Sequence, residues 1–258
     1  YRYIVAVSPG GIVSSNMAST VGLVRSQIYP MSSTRTGPWS SPMTWSAGVV
    51  PAAGDSVTIL PGHTVTVDIT TATASTTTIR GKLSFSTVVN SSLTLVGGDM
   101  VVEPGGSLIM GTEAQPIPAS LFAHLVLAYG SLGATFRLLI QNGGNFAVHG
   151  ATKTPASIAL TDVVASGDIF YLTDNPATLG WKIGDVITFS PTQSQGKPAT
   201  RTIASFPSNN TIRVDAPLTI AQDANVTVWV CNLTRNVLVR SSGTNVFGDT
   251  ARLDSLAE

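Results

Sequence analysis

The chain has 258 residues and a formal net charge of zero, and only 11% of its residues are charged. This balance excludes the basic face that a nucleic-acid-binding protein needs, and it excludes steering of strongly charged substrates. The single cysteine, Cys231, excludes an intramolecular disulfide and a cysteine-based zinc site. No run of about 18 apolar residues occurs, so the sequence predicts no membrane span.

Low charge combined with abundant serine, threonine, valine and glycine is typical of a secreted or surface-exposed β protein. We therefore expect an extracellular or cell-surface location, with a polysaccharide or a surface protein as the partner.

The first segment, residues 1–38, is predicted to be an N-terminal strand and cap. Tyr1–Val7 alternates aromatic or apolar residues with others, which indicates a leading strand. The weakly patterned residues that follow favour a cap over the first coil. Pairing of the leading strand with a sheet edge of a neighbouring subunit remains open as an alternative, which would give self-assembly through edge strands.

Short apolar runs alternate with glycine turns from Trp39 to Gly150, and Gly-Gly pairs recur at 97–98, 105–106 and 143–144. Glycine reaches backbone angles that cost other residues about 1–2 kcal/mol. Repetition of this device without a helical period predicts an all-β fold, a right-handed parallel β-helix over residues 39–150. The glycines predicted to form its turns are Gly54, Gly62, Gly81, Gly98, Gly106, Gly111, Gly130, Gly144 and Gly150.

Trp39 and Trp45 form the first dense cluster of large side chains. Two interpretations are open for this pair. The two rings form a platform that stacks on sugars, or they plug the open end of the coil, which is the commoner use of paired tryptophans at such a position.

The sequence changes character after residue 150. Four strands at roughly ten-residue spacing, without glycine pairs, predict a small antiparallel β subdomain over residues 151–228, inserted between coils. Residues 229–258 are predicted to form a returning coil and a C-terminal tail, whose end, Asp249–Glu258, is either a short helix or frayed. The four predicted strands are Gly167–Leu172, Trp181–Phe189, Thr200–Phe206 and Thr211–Val214.

An ordered series of motifs resembles the G8 domain family. The motifs are Trp-Ser-x-x-x-Thr-Trp at 39–45, Val-Pro-x-x-Gly-Asp-x-Val-Thr-Ile at 50–59, Pro-Gly-x-Thr-Val-x-Val-Asp at 61–68, Ile-x-Gly-x-Leu-x-Phe at 79–85, Gly-Gly-Ser-Leu-Ile-x-Gly-Thr at 105–112 and Leu-x-Leu-x-x-Gly at 125–130. The resemblance covers 39–150 and extends more loosely to Gly243 through a Leu-x-Arg-Asn phrase at 233–236. It implies a β-helical extracellular protein similar to the hyaluronan-related members of the family.

The sequence presents no catalytic constellation. The three histidines, His63, His124 and His149, lie in separate coils without metal-ligand spacing, so we predict no metal ion, no cofactor and no catalytic residue. His149 is the most interesting of the three, because stacking of the coils is able to bring Glu103 or Asp68 to its face, and a carboxylate near a histidine is the minimum for acid–base chemistry.

Arg235 and Asn236, in the predicted returning coil, are the best polar pair for contacting a ligand. The competing interpretation makes Asn236 a buried ladder residue and Arg235 a solvated one. Asp55, Asp168 and Asp185 each follow a glycine directly, which favours capping of turns over catalysis.

We therefore expect a module that is non-catalytic by itself and binds carbohydrate or a protein partner, or builds a surface assembly. Its tentative ligand-binding residues are Trp39, Trp45, His149, Arg235 and Asn236. The alternative is a fragment of a polysaccharide-degrading, hyaluronan-type glycosidase or lyase. The Gly-Gly-His motif that the hyaluronan-degrading members carry after the Leu-x-Arg-Asn phrase is not found at residues 240–248.

Overall fold

The computed structural model describes residues 29–128, 137–160, 167–191, 196–218, 226–243 and 251–256. Within these ranges the fold is all-β, with twenty-one strands and one 3-10 turn at Pro42–Thr44. No helix in this part of the chain is long and apolar enough to cross a membrane. The predicted leading strand at Tyr1–Val7 and the turn at Gly130 lie outside the described residues.

The strands, numbered in chain order, form three parallel sheets and one antiparallel sheet. Sheet I contains β1 (Met31–Ser32), β3 (Val57–Ile59), β6 (Thr77–Ile79), β9 (Met100–Val102), β12 (Arg137–Ile140) and β21 (Arg252–Ser255). Sheet II contains β2 (Gly37–Pro38), β4 (Thr64–Val67), β7 (Lys82–Phe85), β10 (Ser107–Met110) and β13 (Asn145–Val148). Sheet III contains β5 (Ala72–Ala74), β8 (Ser91–Val96), β11 (Ala123–Ala128) and β20 (Val237–Ser241).

The antiparallel sheet, sheet IV, has the spatial order β14-β19-β16-β17-β18-β15. A bridge between Ala159 and Leu172 joins β14 to the end of β15, so the sheet curls until its two edges meet. Its strands are β14 (Ala156–Ala159), β15 (Ile169–Tyr171), β16 (Val186–Phe189), β17 (Ala199–Ser208), β18 (Thr211–Val214) and β19 (Val228–Asn232).

The chain visits the parallel sheets in a fixed rotation of I, II and III. The rotation begins with β3, β4 and β5, and each later passage adds one strand to each sheet. After β13 the chain leaves this rotation, builds sheet IV, and returns to sheet III at β20. Sheet IV is thus inserted between two strands of one winding.

Alternating side chains explain the core. Ile59, Ile79 and Val102 stand in register on three successive strands of sheet I, and all three are fully buried. Threonines at neighbouring positions point outward, as the two-residue period of a strand requires. Burying each aliphatic side chain stabilises the fold by about 1.5–3 kcal/mol, so these ladders hold the windings together.

Trp39 and Trp45 close one end of this core. Their rings are 0% and 2% exposed and meet edge to face, with centroids 4.9 Å apart. Trp45 Nε1 donates a hydrogen bond to the backbone oxygen of Trp39 at 2.9 Å. A sugar-stacking platform needs an accessible ring face, and the structure offers none at either tryptophan. The placement favours the plug interpretation.

The two glycines of a pair have different roles. Gly105 adopts a φ of 81° and has open space where a Cβ would stand. Gly106 has no positive φ, but a Cβ there would collide with the backbone oxygen of Ile79 on the preceding winding. Positive φ also occurs at the predicted turn glycines Gly54, Gly62 and Gly111, whereas Gly81, Gly98, Gly144 and Gly150 are positions of close approach.

Two sequence expectations differ from the structure near the C-terminus. Residues 228–232, most of which the sequence places in the returning coil, form β19 of sheet IV, where Val228 and Val230 are buried in a second core. The return begins at Val237 instead. The tail, expected as a short helix or a frayed end, forms β21, which pairs parallel to β12.

Gly105 is required by its positive φ, whereas Gly106 is required by lack of space. Asparagine tolerates a positive φ better than alanine does, so it should be the milder replacement at Gly105 and the more harmful one at Gly106. Gly105→Ala is expected to cost about 1–2 kcal/mol, part of which Gly105→Asn recovers. Gly106→Ala is expected to cost about 1–3 kcal/mol through overpacking, and Gly106→Asn more than that. Urea unfolding of the four variants tests this, and equal recovery by asparagine at both positions would contradict it.

Candidate functional site

A small pocket lies where the chain leaves the parallel sheets for sheet IV and returns. Its volume is about 100 Å³. It contains two of the predicted ligand-binding residues, Arg235 and Asn236, and brings them next to charged side chains of the insertion. The lining residues are Ala119, Ala151, Lys153, Gly180, Lys182, Asp185, Thr234, Arg235 and Asn236.

Asn236 is the polar residue that ties this junction together. Its Oδ1 accepts a hydrogen bond from Ala151 N at 2.9 Å. Its Nδ2 lies 3.0 to 3.1 Å from three backbone oxygens, those of Ile117, Pro118 and Leu121. Gly150 leaves room for this amide, because a Cβ there would lie 2.5 Å from Asn236 Oδ1. The side chain is occupied by the protein's own backbone, and Asn236 is partly buried just before β20 begins.

Asp185 is the charged centre of the pocket. Its Oδ2 accepts hydrogen bonds from Lys153 Nζ at 2.7 Å, Asn232 Nδ2 at 2.8 Å and Lys182 N at 2.9 Å. The hydrogen bond from Lys182 N closes the turn that contains Asp185, as the Gly-Asp pattern predicts. Asp55 repeats that arrangement, since its Oδ2 accepts from Ala52 N at 2.8 Å. The side chain is buried, and its three donors come from separate parts of the chain, so Asp185 serves as a structural hub of the junction.

Arg235 lies exposed at the rim, and its Nη1 donates to the backbone oxygens of Asn232 and Thr234. Lys182 Nζ similarly donates to the Ala119 oxygen at 2.7 Å. Ligand pockets usually measure about 300–1,000 Å³, several times the volume found here. The size and the internal pairing together indicate a joint between sheets rather than a binding site for an organic ligand.

His149 stands exposed after β13, and the structure does not describe a contact between it and either proposed carboxylate partner. Glu103 pairs with Arg80 at 2.8 Å. Asp68 accepts from Ser40 N at 3.0 Å and from the Ser40 hydroxyl. Within the described ranges, no three histidine, cysteine, aspartate or glutamate side chains are grouped so that they could hold a metal ion.

The outer face of sheet IV carries residues that the sequence analysis did not select. Trp229 lies directly opposite Ile158 on the neighbouring strand, and its side chain is 48% exposed. Leu160 N donates to Tyr171 O at 2.7 Å, which sets Leu160 beside Tyr171, whose side chain is 51% exposed. We call Trp229, Ile158, Leu160 and Tyr171 the aromatic face. Alternation of exposed and buried residues in β19 was the available signal, but it also fits a strand of the parallel stack.

Replacement of Asn236 tests its structural role. Asn236→Ala leaves several partly buried backbone groups without their partner, and we expect it to lower the free energy of unfolding by about 2–3 kcal/mol. Asn236→Asp keeps the acceptor for Ala151 N but loses the donors, so it should also destabilise. Arg235→Ala is the matched control, with an expected change within about 0.5 kcal/mol. Equal effects of Asn236→Ala and Arg235→Ala in chemical denaturation would contradict this role.

The lowered pKa of His124 predicts that the free energy of unfolding depends on pH. Partial burial, and then the nearby positive charge of Arg240, hold the pKa of His124 below its ordinary value of 6.5. The unfolded chain therefore takes up the proton more readily, so this stabilisation is complete above about pH 6.5 and is lost as the pH falls from there through the folded pKa. Unfolding of the wild type and His124→Gln between pH 8 and pH 5 should show the smaller loss in the variant. Parallel curves would refute this.

Comparison with known proteins matches residues 44–161 to the G8 domain. Fibrocystin of Mus musculus is 26% identical over 230 residues, an alignment that covers 80% of this chain and 5% of Fibrocystin. Protein rliB of Dictyostelium discoideum is 28% identical over 171 residues, covering 60% of this chain and 14% of that protein. The chain therefore spans a small fraction of these relatives. The matched residues include β3 to β13, the glycine-cornered windings described above, so this part of the chain is similar to the G8 domain.

Proposed function

We propose that this chain is an extracellular or cell-surface module, non-catalytic by itself, that binds uncharged carbohydrate through the aromatic face of sheet IV. In this proposal sheets I, II and III are the three faces of a right-handed parallel β-helix, which holds sheet IV as a rigid platform. The rotation of the chain through the three parallel sheets supports the helical arrangement. The carbohydrate assignment rests on the exposed aromatic side chains of sheet IV.

The chemistry of this face favours a neutral ligand, because its exposed cation, Arg213 opposite Ile169, already lies 3.6 Å from Asp168. Trp229 and Tyr171 each combine a flat apolar ring with a polar group, which suits a sugar's alternating CH and OH surfaces. Outward positions on β14, β19, β16 and β17 carry apolar, cysteine and threonine side chains without a charge. They are Ala156, Ile158, Trp229, Cys231, Val186, Thr188, Thr200 and Thr202.

Two carboxylates near sheet IV, Asp174 and Asp215, do not have the properties that the general acid of a glycosidase needs. Glycoside hydrolysis requires an acid whose pKa is raised, paired with a second carboxylate. Hydrogen bonds from Ser157 and Thr173 lower the pKa of Asp174. A backbone hydrogen bond from Thr202 is the main cause of the lowered pKa of Asp215. Both shifts run opposite to what a general acid needs.

Tryptophan fluorescence gives a direct test. Trp39, Trp45 and Trp181 are buried, so Trp229 is the exposed indole among the chain's four tryptophans. Titration with neutral oligosaccharides should change its emission and protect it from acrylamide quenching. Trp229→Ala should weaken binding, measured by calorimetry, about tenfold or more, because aromatic anchors dominate such contacts.

Ile183→Ala serves as the matched control, since Ile183 is an exposed apolar residue in the turn before β16 and is not part of the aromatic face. Unchanged affinity in Trp229→Ala, or an equal loss in Ile183→Ala, would contradict the proposed site. Release of new reducing ends or unsaturated products from a polysaccharide by this chain would contradict the non-catalytic assignment.

A further inference from the structure

A lysine, an asparagine and an aspartate meet at the base of sheet IV. Lys153 Nζ donates a hydrogen bond to Asp185 Oδ2 at 2.7 Å, and Asn232 Nδ2 donates to the same oxygen at 2.8 Å. The amine and the amide are therefore neighbours, with the carboxylate as their shared partner. The three residues come from the segment before β14, the turn before β16 and the end of β19.

This group, which we call the Lys-Asp-Asn triad, is shielded from water. The side chains of Lys153 and Asp185 are 11% and 6% exposed, and Asn232 is 2% exposed. Asn232 stands in register with Ile187 of β16, which is fully buried. Trp181 is buried as well, and its Nε1 donates to the backbone oxygen of the residue after Lys153. Exclusion of water favours reaction of the amine with the amide over hydrolysis.

The amide of Asn232 has a different partner at each of its two polar atoms. Its Oδ1 accepts a hydrogen bond from Thr234 N at 2.9 Å, while its Nδ2 donates to Asp185. Attack of an amine on Cγ places negative charge on Oδ1, and a backbone N–H that already bonds this atom stabilises that charge. Asp185 is positioned to move protons, because the attacking nitrogen and the leaving nitrogen both bond its Oδ2.

We propose that Lys153 and Asn232 form an intramolecular isopeptide bond, with Asp185 as the proton carrier. Lys153 Nζ passes a proton to Asp185, and its freed lone pair forms a bond to Asn232 Cγ. The carbonyl electron pair moves to Oδ1 and returns as the Cγ–Nδ2 bond breaks. Asp185 delivers its proton to Nδ2, then takes a second proton from Nζ and passes it to the departing ammonia. The products are one amide and one ammonium ion, and the Asp185 carboxylate is restored.

The bond joins the two ends of the insertion. Lys153 lies just after the chain leaves the parallel sheets, and Asn232 lies just before the chain returns to them at Val237. A covalent closure here restricts the unfolded chain in the way that a disulfide does. With a single cysteine the chain has no intramolecular disulfide, and the isopeptide bond supplies a cross-link by different chemistry. The reaction occurs once in each chain and consumes no external substrate.

Mass spectrometry of the full chain, purified in the folded state and then denatured, tests the proposal. We expect an intact mass below that of the sequence by one ammonia molecule, and a proteolytic fragment in which Lys153 and Asn232 are joined. Succinimide formation at an asparagine loses the same mass, and the joined fragment distinguishes the two reactions. A chain with its full sequence mass would overturn the proposal. Loss of one water molecule, with Lys153 joined to Asp185, would overturn the assignment of Asn232.

Variants of the triad supply a second test. Lys153→Arg keeps the positive charge but provides no amine that can be deprotonated, and Asp185→Asn removes the proton carrier. Both should regain the full sequence mass, and Lys153→Arg should lower the Tm by about 10 °C, because the unfolded chain is no longer restricted.

Lys182→Arg is the matched control, since Lys182 lines the same pocket but its Nζ donates to the Ala119 oxygen. It should keep the mass deficit. Circular dichroism verifies that each variant is folded. A deficit that persists in Lys153→Arg, or that disappears in Lys182→Arg, would contradict the cross-link between Lys153 and Asn232.

Discussion

The spacing between successive windings is the constraint on which the rest of the structure depends. Parallel strands pair at about 4.8 Å, and here that spacing is kept through the corners as well as along the strands. Ser107 N donates to Gly81 O at 2.8 Å, and Asn145 N donates to Gly106 O at 2.9 Å, so corner backbones bond to one another. A side chain directed at the neighbouring corner has no space. Glycine at these corners is thus a condition for the apolar ladders of the interior to form.

The insertion of sheet IV is compatible with this constraint because Asn236 takes over the bonding where the winding is interrupted. Its amide contacts Ala151, where the insertion begins, and backbone oxygens between β10 and β11, and Asp185 forms an ion pair with Lys153 beside it. Polar groups buried at such a joint would be costly if they lacked partners. With partners, they fix the position of sheet IV relative to the stack.

Much of the parallel stack was predictable from the sequence, because its rule is local: an alternating apolar run, a glycine corner, another run. The arrangement of sheet IV was less predictable from the sequence. Val228 and Val230 alternate with outward residues in a pattern that fits either sheet, and their partner β14 lies about seventy residues earlier. The role of Asn236 depends on contacts 85 to 119 residues away in sequence, which a motif does not reveal. The alternation of apolar and polar residues along a strand also does not reveal which tryptophan faces solvent.

The location of the break has a consequence for sequence variation. Sheet IV departs just after Ala151 and rejoins at Asn236, two positions that touch each other through a hydrogen bond of 2.9 Å. The residues between these two positions form an insertion that begins and ends at the same place and has its own hydrophobic core. Such an insertion can grow, shrink or be exchanged without shifting the pairing register of a single winding. Variation within sheet IV is therefore compatible with an unchanged scaffold beneath it.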